Sequence, residues 1–199
     1  LAVFFLARIL GALYFINNID DKDLVARSRR SLIGNSVLFL VFFLSFVIRT
    51  LLADGYAVNP ETGEIFMEPY KYLTNFIEMP VVLVLFLIGV VLVLFGIGKS
   101  LLKPKFDKGI WFTGIGTVLA VLALLLVAGY NHTAYYPSTN DLQSSLTLAN
   151  SCSSEFTLRV MFYVSFLVPF VLAYIFYAWR SIDIHKIDEK EMKDGGHSY

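Results

Sequence analysis

Chemistry in a protein needs ligands, nucleophiles or paired acids at fixed spacing, and this chain offers few of them. Its three histidines are His132, His185 and His197, and its one cysteine is Cys152. All four lie in polar stretches, away from the apolar runs where a haem or buried metal would need its axial or first ligands. Met161 is the one thioether inside a clear apolar run, and at that run's edge a methionine reads as packing. The Gly-x-Gly pairs at Gly96/Gly98 and Gly114/Gly116 lack the third glycine and the strand of a phosphate loop. Asn131-His132-Thr133 fits a glycosylation acceptor, but it abuts an apolar run. A single cysteine cannot close an intramolecular disulfide. No catalytic, cofactor-binding or metal-ligating set is therefore expected.

Three charged positions stand out as functional candidates instead. Arg8 lies inside the first apolar run, about 12 Å of helix rise from its end. An arginine in the membrane is costly and points to a partner acid, a cavity, or snorkelling along its own stem. Arg49 and Asp54 flank the end of the second run. They are five residues apart, off the i,i+4 spacing of a helical ion pair. Asp54 heads Asp54-Gly55-Tyr56, where turn chemistry is the simpler reason for an aspartate.

The elements that must position these residues are set by composition. The chain has 199 residues, of which 57% are hydrophobic and 16% charged, with a mean hydropathy of +0.67. Soluble domains carry about 25% charged residues. The formal net charge is zero, which leaves no electrostatic footprint for nucleic acid. Five apolar segments, at about 1–16, 32–53, 80–98, 109–130 and 158–179, predict transmembrane helices. The fold class expected is therefore all-α, a polytopic bundle forming a single membrane domain over 1–199. Because Leu1 opens inside an apolar run, the first helix is expected to be truncated, the chain being the C-terminal part of a longer subunit.

The connectors predict orientation. Lys22, Arg27, Arg29 and Arg30 lie in 17–31, Lys99, Lys103, Lys105 and Lys108 in 99–108, and Arg180, Lys186, Lys190 and Lys193 in the tail 180–199. The other two connectors, 54–79 and 131–157, hold only Lys71 between them. The positive-inside rule places the basic side and the C-terminus in the cytoplasm, and 54–79 and 131–157 on the outer face. Tyr130, Tyr135 and Tyr136 fit the outer aromatic belt, and Trp111, Tyr177 and Trp179 the inner one. Asn75-x-x-Glu78 before Pro80 reads as the entry to the third helix. Pro169, mid-run, predicts a kink in the last helix. Gly116 and Ala120 predict one close helix–helix contact.

The connector 131–157 carries ten Ser/Thr residues, two acids and no Lys or Arg. Loops beyond about 12–15 residues are usually functional or disordered. Leu142, Leu146, Leu148 and Phe156 give this one apolar anchors, so an ordered cap over the helix ends is expected. Its run Pro137-Ser138, Ser145-Leu146-Thr147, Ser153-Ser154, Thr157-Leu158 and Met161, followed by Pro169, resembles the C-terminal region of cytochrome bd quinol oxidase subunit II. Gly11-Ala12-Leu13-Tyr14 before a basic loop, and Asp54-Gly55-Tyr56 closing the next helix, resemble the same subunit.

That resemblance implies a bacterial inner-membrane respiratory complex that oxidises quinol and reduces dioxygen to water. It implies a haem-free accessory role for this chain, in assembly and in proton access. Haems b and d would then be held by the partner, subunit I, with a quinone, membrane lipids and a small single-span subunit as further associates. The family's proton-route acids match no position here. Half of a secondary transporter, or a purely structural bundle, are the competing readings. Transporter repeats would show broken helices at corresponding positions, and Pro169 is the one clear break.

Overall fold

Where lipid replaces water, a backbone can satisfy its polar groups only within a helix, and the apolar runs obey that constraint. The computed structural model describes residues 1–103, 105–182 and 187–188. His185, His197, Lys186, Lys190 and Lys193 lie outside the described residues. The helices are α1 (Ala2–Asn18), α2 (Lys22–Leu52), α3 (Lys71–Glu78), α4 (Pro80–Leu102), α5 (Gly109–Gly129), α6 (Glu155–Ser165) and α7 (Val168–Ile182). Strands β2 (Gly55–Val58) and β3 (Ile65–Glu68) form an antiparallel hairpin, while β1 (Ile19–Asp20) pairs in parallel with β4 (Ile187–Asp188). Among the described residues, four helical stretches are long and apolar enough to cross a membrane: Lys22–Leu52, Pro80–Leu102, Gly109–Gly129 and Glu155–Ser181. The shorter apolar α1 packs along α2. The fold is the all-α polytopic bundle expected.

Three boundaries differ from the sequence expectation. Helix α2 begins ten residues before its apolar run, because the basic segment is itself helical. Asp21 caps it by accepting from the Leu24 amide at 2.7 Å, and Asp23 favours the first turn. At 31 residues it is about 46 Å long, well beyond an apolar core of about 30 Å. Asn75 and Glu78 do not open α4. They belong to α3, and the N-cap of α4 is Met79 with no side-chain cap, followed by Pro80 in its first turn. Gly55-Tyr56 is not a turn but the start of β2, so the chain bends at Ala53–Asp54 instead.

Pro169 does break the last helix. It divides at Phe166–Leu167, where the Phe166 and Leu167 amides donate to Tyr163 and Val164 at 3.2 and 2.9 Å, tightening the turn before the proline.

Two apolar clusters hold the bundle. One joins Ile9, Leu13 and Ile16 of α1 to Leu32 and Phe39 of α2 and Val93 of α4. The other joins Phe76, Val82 and Phe86 to Ala120, Ala123 and Val127. Between α4 and α5 the contact is backbone on backbone. A Cβ on Gly89 would lie 2.6 Å from the Ala120 nitrogen, and one on Gly116 would lie 2.6 Å from the Gly89 oxygen. A second such contact sets Gly96 against Gly109 and Thr113. Gly116 and Ala120 therefore form the predicted close face, with Gly89 as its partner. Among the described residues, Ser100 Oγ and Thr113 Oγ1 are buried at this seam without a hydrogen-bond partner. By contrast, every described side chain of α6 and α7 is exposed except Ala178, which is half-buried.

Candidate functional site

The helices have two chemically different ends. At the basic end, Lys22, Arg27, Arg30, Lys103, Lys105 and Lys108 are all exposed. Arg29 is the exception: its guanidinium reaches across to donate to the carbonyls of Ser100, Lys103 and Phe106. Those oxygens close the last turn of α4 and the start of the following loop, where carbonyls lack helical partners. Lys99 adds two cation–π contacts, 4.9 Å from the Phe95 ring centroid and 4.6 Å from that of Phe106.

At the opposite, connector end, the buried polar groups are amides and hydroxyls together with the Lys71 ammonium. Helix α3 is strongly amphipathic, and it lays Phe76 into the second core cluster. The same face carries Asn75, which is fully buried. Asn75 Nδ2 donates to Val127 O at 2.9 Å and to Thr133 Oγ1 at 2.8 Å. Its Oδ1 accepts from Asn131 Nδ2 at 3.0 Å, and Asn131 also donates to the exposed Glu78 carboxylate. Val127 is in the last turn of α5, so Asn75 satisfies a carbonyl that the helix cannot. Asn131 and His132 have φ of 58° and 53°, a left-handed turn that swings the chain off α5 toward Asn75.

The connector 131–157 then docks on the hairpin. The Val58 amide donates to His132 O and the Ala134 amide to Tyr56 O, both at 2.8 Å, so Thr133 extends the sheet beside Ala57. Gln143 imitates a strand with its side chain. It accepts from the Ile65 amide at 2.9 Å and donates to Ile65 O at 2.8 Å. Gly55 is needed where α3 crosses, since a Cβ there would lie 2.5 Å from Lys71 Cβ. Lys71 is itself buried, and its ammonium pairs with Glu68 at 3.1 Å. Burial pushes the Tyr72 phenol above its usual pKa, and the neighbouring Tyr56 phenol adds to the shift.

The Ser/Thr block supplies turns and caps. Fully buried Ser145 accepts from the Ser138 amide at 3.0 Å and donates to Leu142 O at 2.7 Å. Asn150 accepts from the Thr147 amide at 2.7 Å and donates to Ser145 O at 2.9 Å. Ser154 caps α6, and its Oγ shares a 2.9 Å hydrogen bond with Thr157 Oγ1. The connector is thus an ordered cap clamped through Asn75, Thr133 and Gln143.

The three charged candidates do not converge. Arg8 is exposed on α1, with its guanidinium 5.7 Å from the Phe4 ring centroid. Arg49 is exposed in the last turn of α2, and Asp54 is exposed between α2 and β2. No ion pair joins them among the described residues. Sequence reasoning did not single out Asn75, Asn131 or Gln143 as a set, because they lie far apart in sequence. The hairpin had a local signal: Asn59-Pro60-Glu61-Thr62-Gly63 is turn chemistry between two short apolar stretches. In the structure Asn59 Oδ1 accepts from the Glu61 amide at 2.9 Å, and Gly63 takes φ of 72°.

The described helices hold no histidine or cysteine. His132, the one described histidine, is exposed in the connector, and Met161 is 62% exposed on α6. Among the described residues no cluster of three His, Cys, Asp or Glu side chains could hold a metal.

Residues 1–182 match the family described as cytochrome bd terminal oxidase subunit II. Over 156 residues the chain is 28% identical to the cytochrome bd-I ubiquinol oxidase subunit 2 of Escherichia coli strain K12, and equally to those of the O6:H1 and O157:H7 strains. The aligned part takes in 77% of this chain and 39% of each relative, so the chain spans about two fifths of the length of the curated relatives it matches.

Proposed function

The chain belongs to the cytochrome bd terminal oxidase subunit II family, and from that membership we propose that it serves a quinol:oxygen oxidoreductase of the respiratory chain as a haem-free accessory subunit. The observation that carries the division of labour is the ligand census. The described crossing helices hold no histidine or cysteine, which supports placing the redox groups on a partner, subunit I, which would hold haems b and d. Such groups would supply one-electron and dioxygen chemistry when bound there. This chain's part is to form one wall of the assembly and to keep its helix ends in register through the Asn75 clamp.

The exposed apolar faces of α6 and α7 support a partnered role, since 27 residues from Glu155 to Ser181 leave almost nothing buried within the chain. Arg8, on an exposed face of α1, is proposed to meet an acid of the partner or a lipid headgroup. Quinone and a small single-span subunit are proposed as further associates, and proton access as a secondary role. The basic end with the C-terminus is proposed to be cytoplasmic.

Affinity purification through a tag on this chain tests the assignment. The expected result is a coloured complex with haem absorption bands and quinol-dependent oxygen uptake. A colourless assembly that lacks a second membrane subunit would overturn it. Cys152, exposed in the connector, reports orientation. A membrane-impermeant maleimide should label it in intact cells, and labelling only after lysis would reverse the proposed topology.

A further inference from the structure

We propose that the groove between α7 and the basic ends of α1 and α5 binds an anionic phospholipid, with Arg180 holding the phosphate. This rests on the membrane embedding of the helices and is independent of the respiratory assignment.

Helix α7 does not pack along the bundle. It touches the bundle near its end, where Trp179 meets Tyr14 edge-on at 6.4 Å between ring centroids and where β4 pairs with β1. Beside that contact lies a groove of about 1020 Å³. One wall is the stripe Leu172, Ile175, Phe176 and Trp179, a single face of α7 at i, i+3, i+4 and i+7. The other wall is Ile110 and Trp111 of α5 with Tyr14 and Asn17 of α1.

The lining is graded along the helix axis. Leu172 and Ile175 are purely apolar. Trp111, Trp179 and Tyr14 follow, the residue types that sit at headgroup level. Asn17 and Arg180 close the groove at the basic end. A phospholipid is graded in the same order, from acyl chain through glycerol to phosphate. Arg180 supplies the complementary charge: a planar guanidinium suited to bidentate phosphate recognition. Among the described residues no carboxylate pairs with it. A second transmembrane helix would cover the apolar stripe, but it would match the guanidinium only by placing an acid at that depth, whereas an anionic phospholipid supplies both parts in one molecule.

Two measurements on the purified complex test the proposal. Phe176→p-benzoylphenylalanine should, on irradiation, capture a phospholipid, read as lipid mass on the α7 peptide. Capture of a polypeptide instead overturns the proposal in favour of a protein neighbour. In delipidated complex, phosphatidylglycerol should bind about fivefold more tightly than phosphatidylcholine, whose choline offsets the phosphate charge that Arg180 would otherwise meet uncompensated. Arg180→Gln should erase that preference, while Arg30→Gln, outside the groove, should leave it intact. No preference in the unaltered complex, or one that survives Arg180→Gln, overturns the proposal equally. Should Arg180→Gln fail to assemble, the capture experiment decides alone.

Discussion

Replacing Asn75 by alanine should release the connector cap without unfolding the bundle. The side chain makes three hydrogen bonds, to Val127 O at 2.9 Å, to Thr133 Oγ1 at 2.8 Å and from Asn131 Nδ2 at 3.0 Å. At a net value of about 1 kcal/mol each, their loss costs about 3 kcal/mol. Val127 is 1% exposed, so its carbonyl would be left buried and unpaired, adding about 1 kcal/mol or more. A local opening free energy lowered by about 3–4 kcal/mol speeds exchange through that opening by two orders of magnitude or more, about 10²-fold to 10³-fold.

Hydrogen–deuterium exchange on the assembled complex is the assay. Peptides covering the end of α5 and residues 131–136 should lose protection by that factor, while peptides from α1 and the middle of α4 should not change. Gln143→Ala gives an internal scale. It removes two bonds to Ile65, about 2 kcal/mol and about thirtyfold, confined to the hairpin and 141–146. Unchanged protection over 127–136 in an assembled Asn75→Ala complex would show that the cap is held by its apolar anchors alone.

Four further outcomes are expected. Gly116→Val should abolish assembly, because even a Cβ would lie 2.6 Å from Gly89 O and 2.8 Å from the Val93 nitrogen. Gly98→Ala, with open space around it, should leave the yield of complex unchanged. Arg29→Gln should lower the thermal inactivation temperature by several degrees, since about 1.5–3 kcal/mol of charge-assisted bonding to α4 carbonyls is lost. The exposed Arg27→Gln should not. Tyr72 is held above the ordinary tyrosine value of 10.0, so its contribution is complete below pH 10 and falls as alkali ionises the unfolded phenol first. Alkaline loss of connector protection should therefore be shallower in Tyr72→Phe. Finally, Arg8→Leu should impair assembly or turnover more than Arg8→Lys, and equal activity in Arg8→Leu would leave snorkelling as the account.

The sequence made the crossing helices legible because lipid imposes one requirement on every residue of a span. Pro169 and Gly116 were readable for the same reason: each acts on its own backbone. What escaped were pairings. Gly116 announces a close face, but nothing local says that Gly89 is its partner. Asn75-x-x-Glu78 has the form of a helix entry, yet Asn75 is drawn to the end of α5, 52 residues later, because Val127 O needs a donor there. The start of α2 precedes its apolar run because hydropathy tracks the membrane, whereas Asp21 and the absence of Gly or Pro between Lys22 and Gly34 track the helix.

The two ends of the bundle show why the polar residues divide as they do. At the connector end the groups are packed against one another, and a buried charge without a partner would cost more than it returns. Amides and hydroxyls serve there: Asn75, Thr133 and Ser145 are all buried and all bonded. Lys71, the one buried cation among the described residues, keeps Glu68 beside it. At the basic end Arg27, Arg30, Lys105 and Lys108 stay exposed, facing water and headgroups, so net charge is tolerated. Arg29 leaves this pattern, and helix carbonyls at the end of α4 supply negative partners for it there. Exchanging the two kinds of chemistry should therefore fail in one direction only. Asn75→Lys would bury an unpaired charge and prevent assembly, whereas Arg30→Asn would leave a stable complex whose insertion orientation is less strongly biased, measurable as a mixed pattern of Cys152 labelling in intact cells.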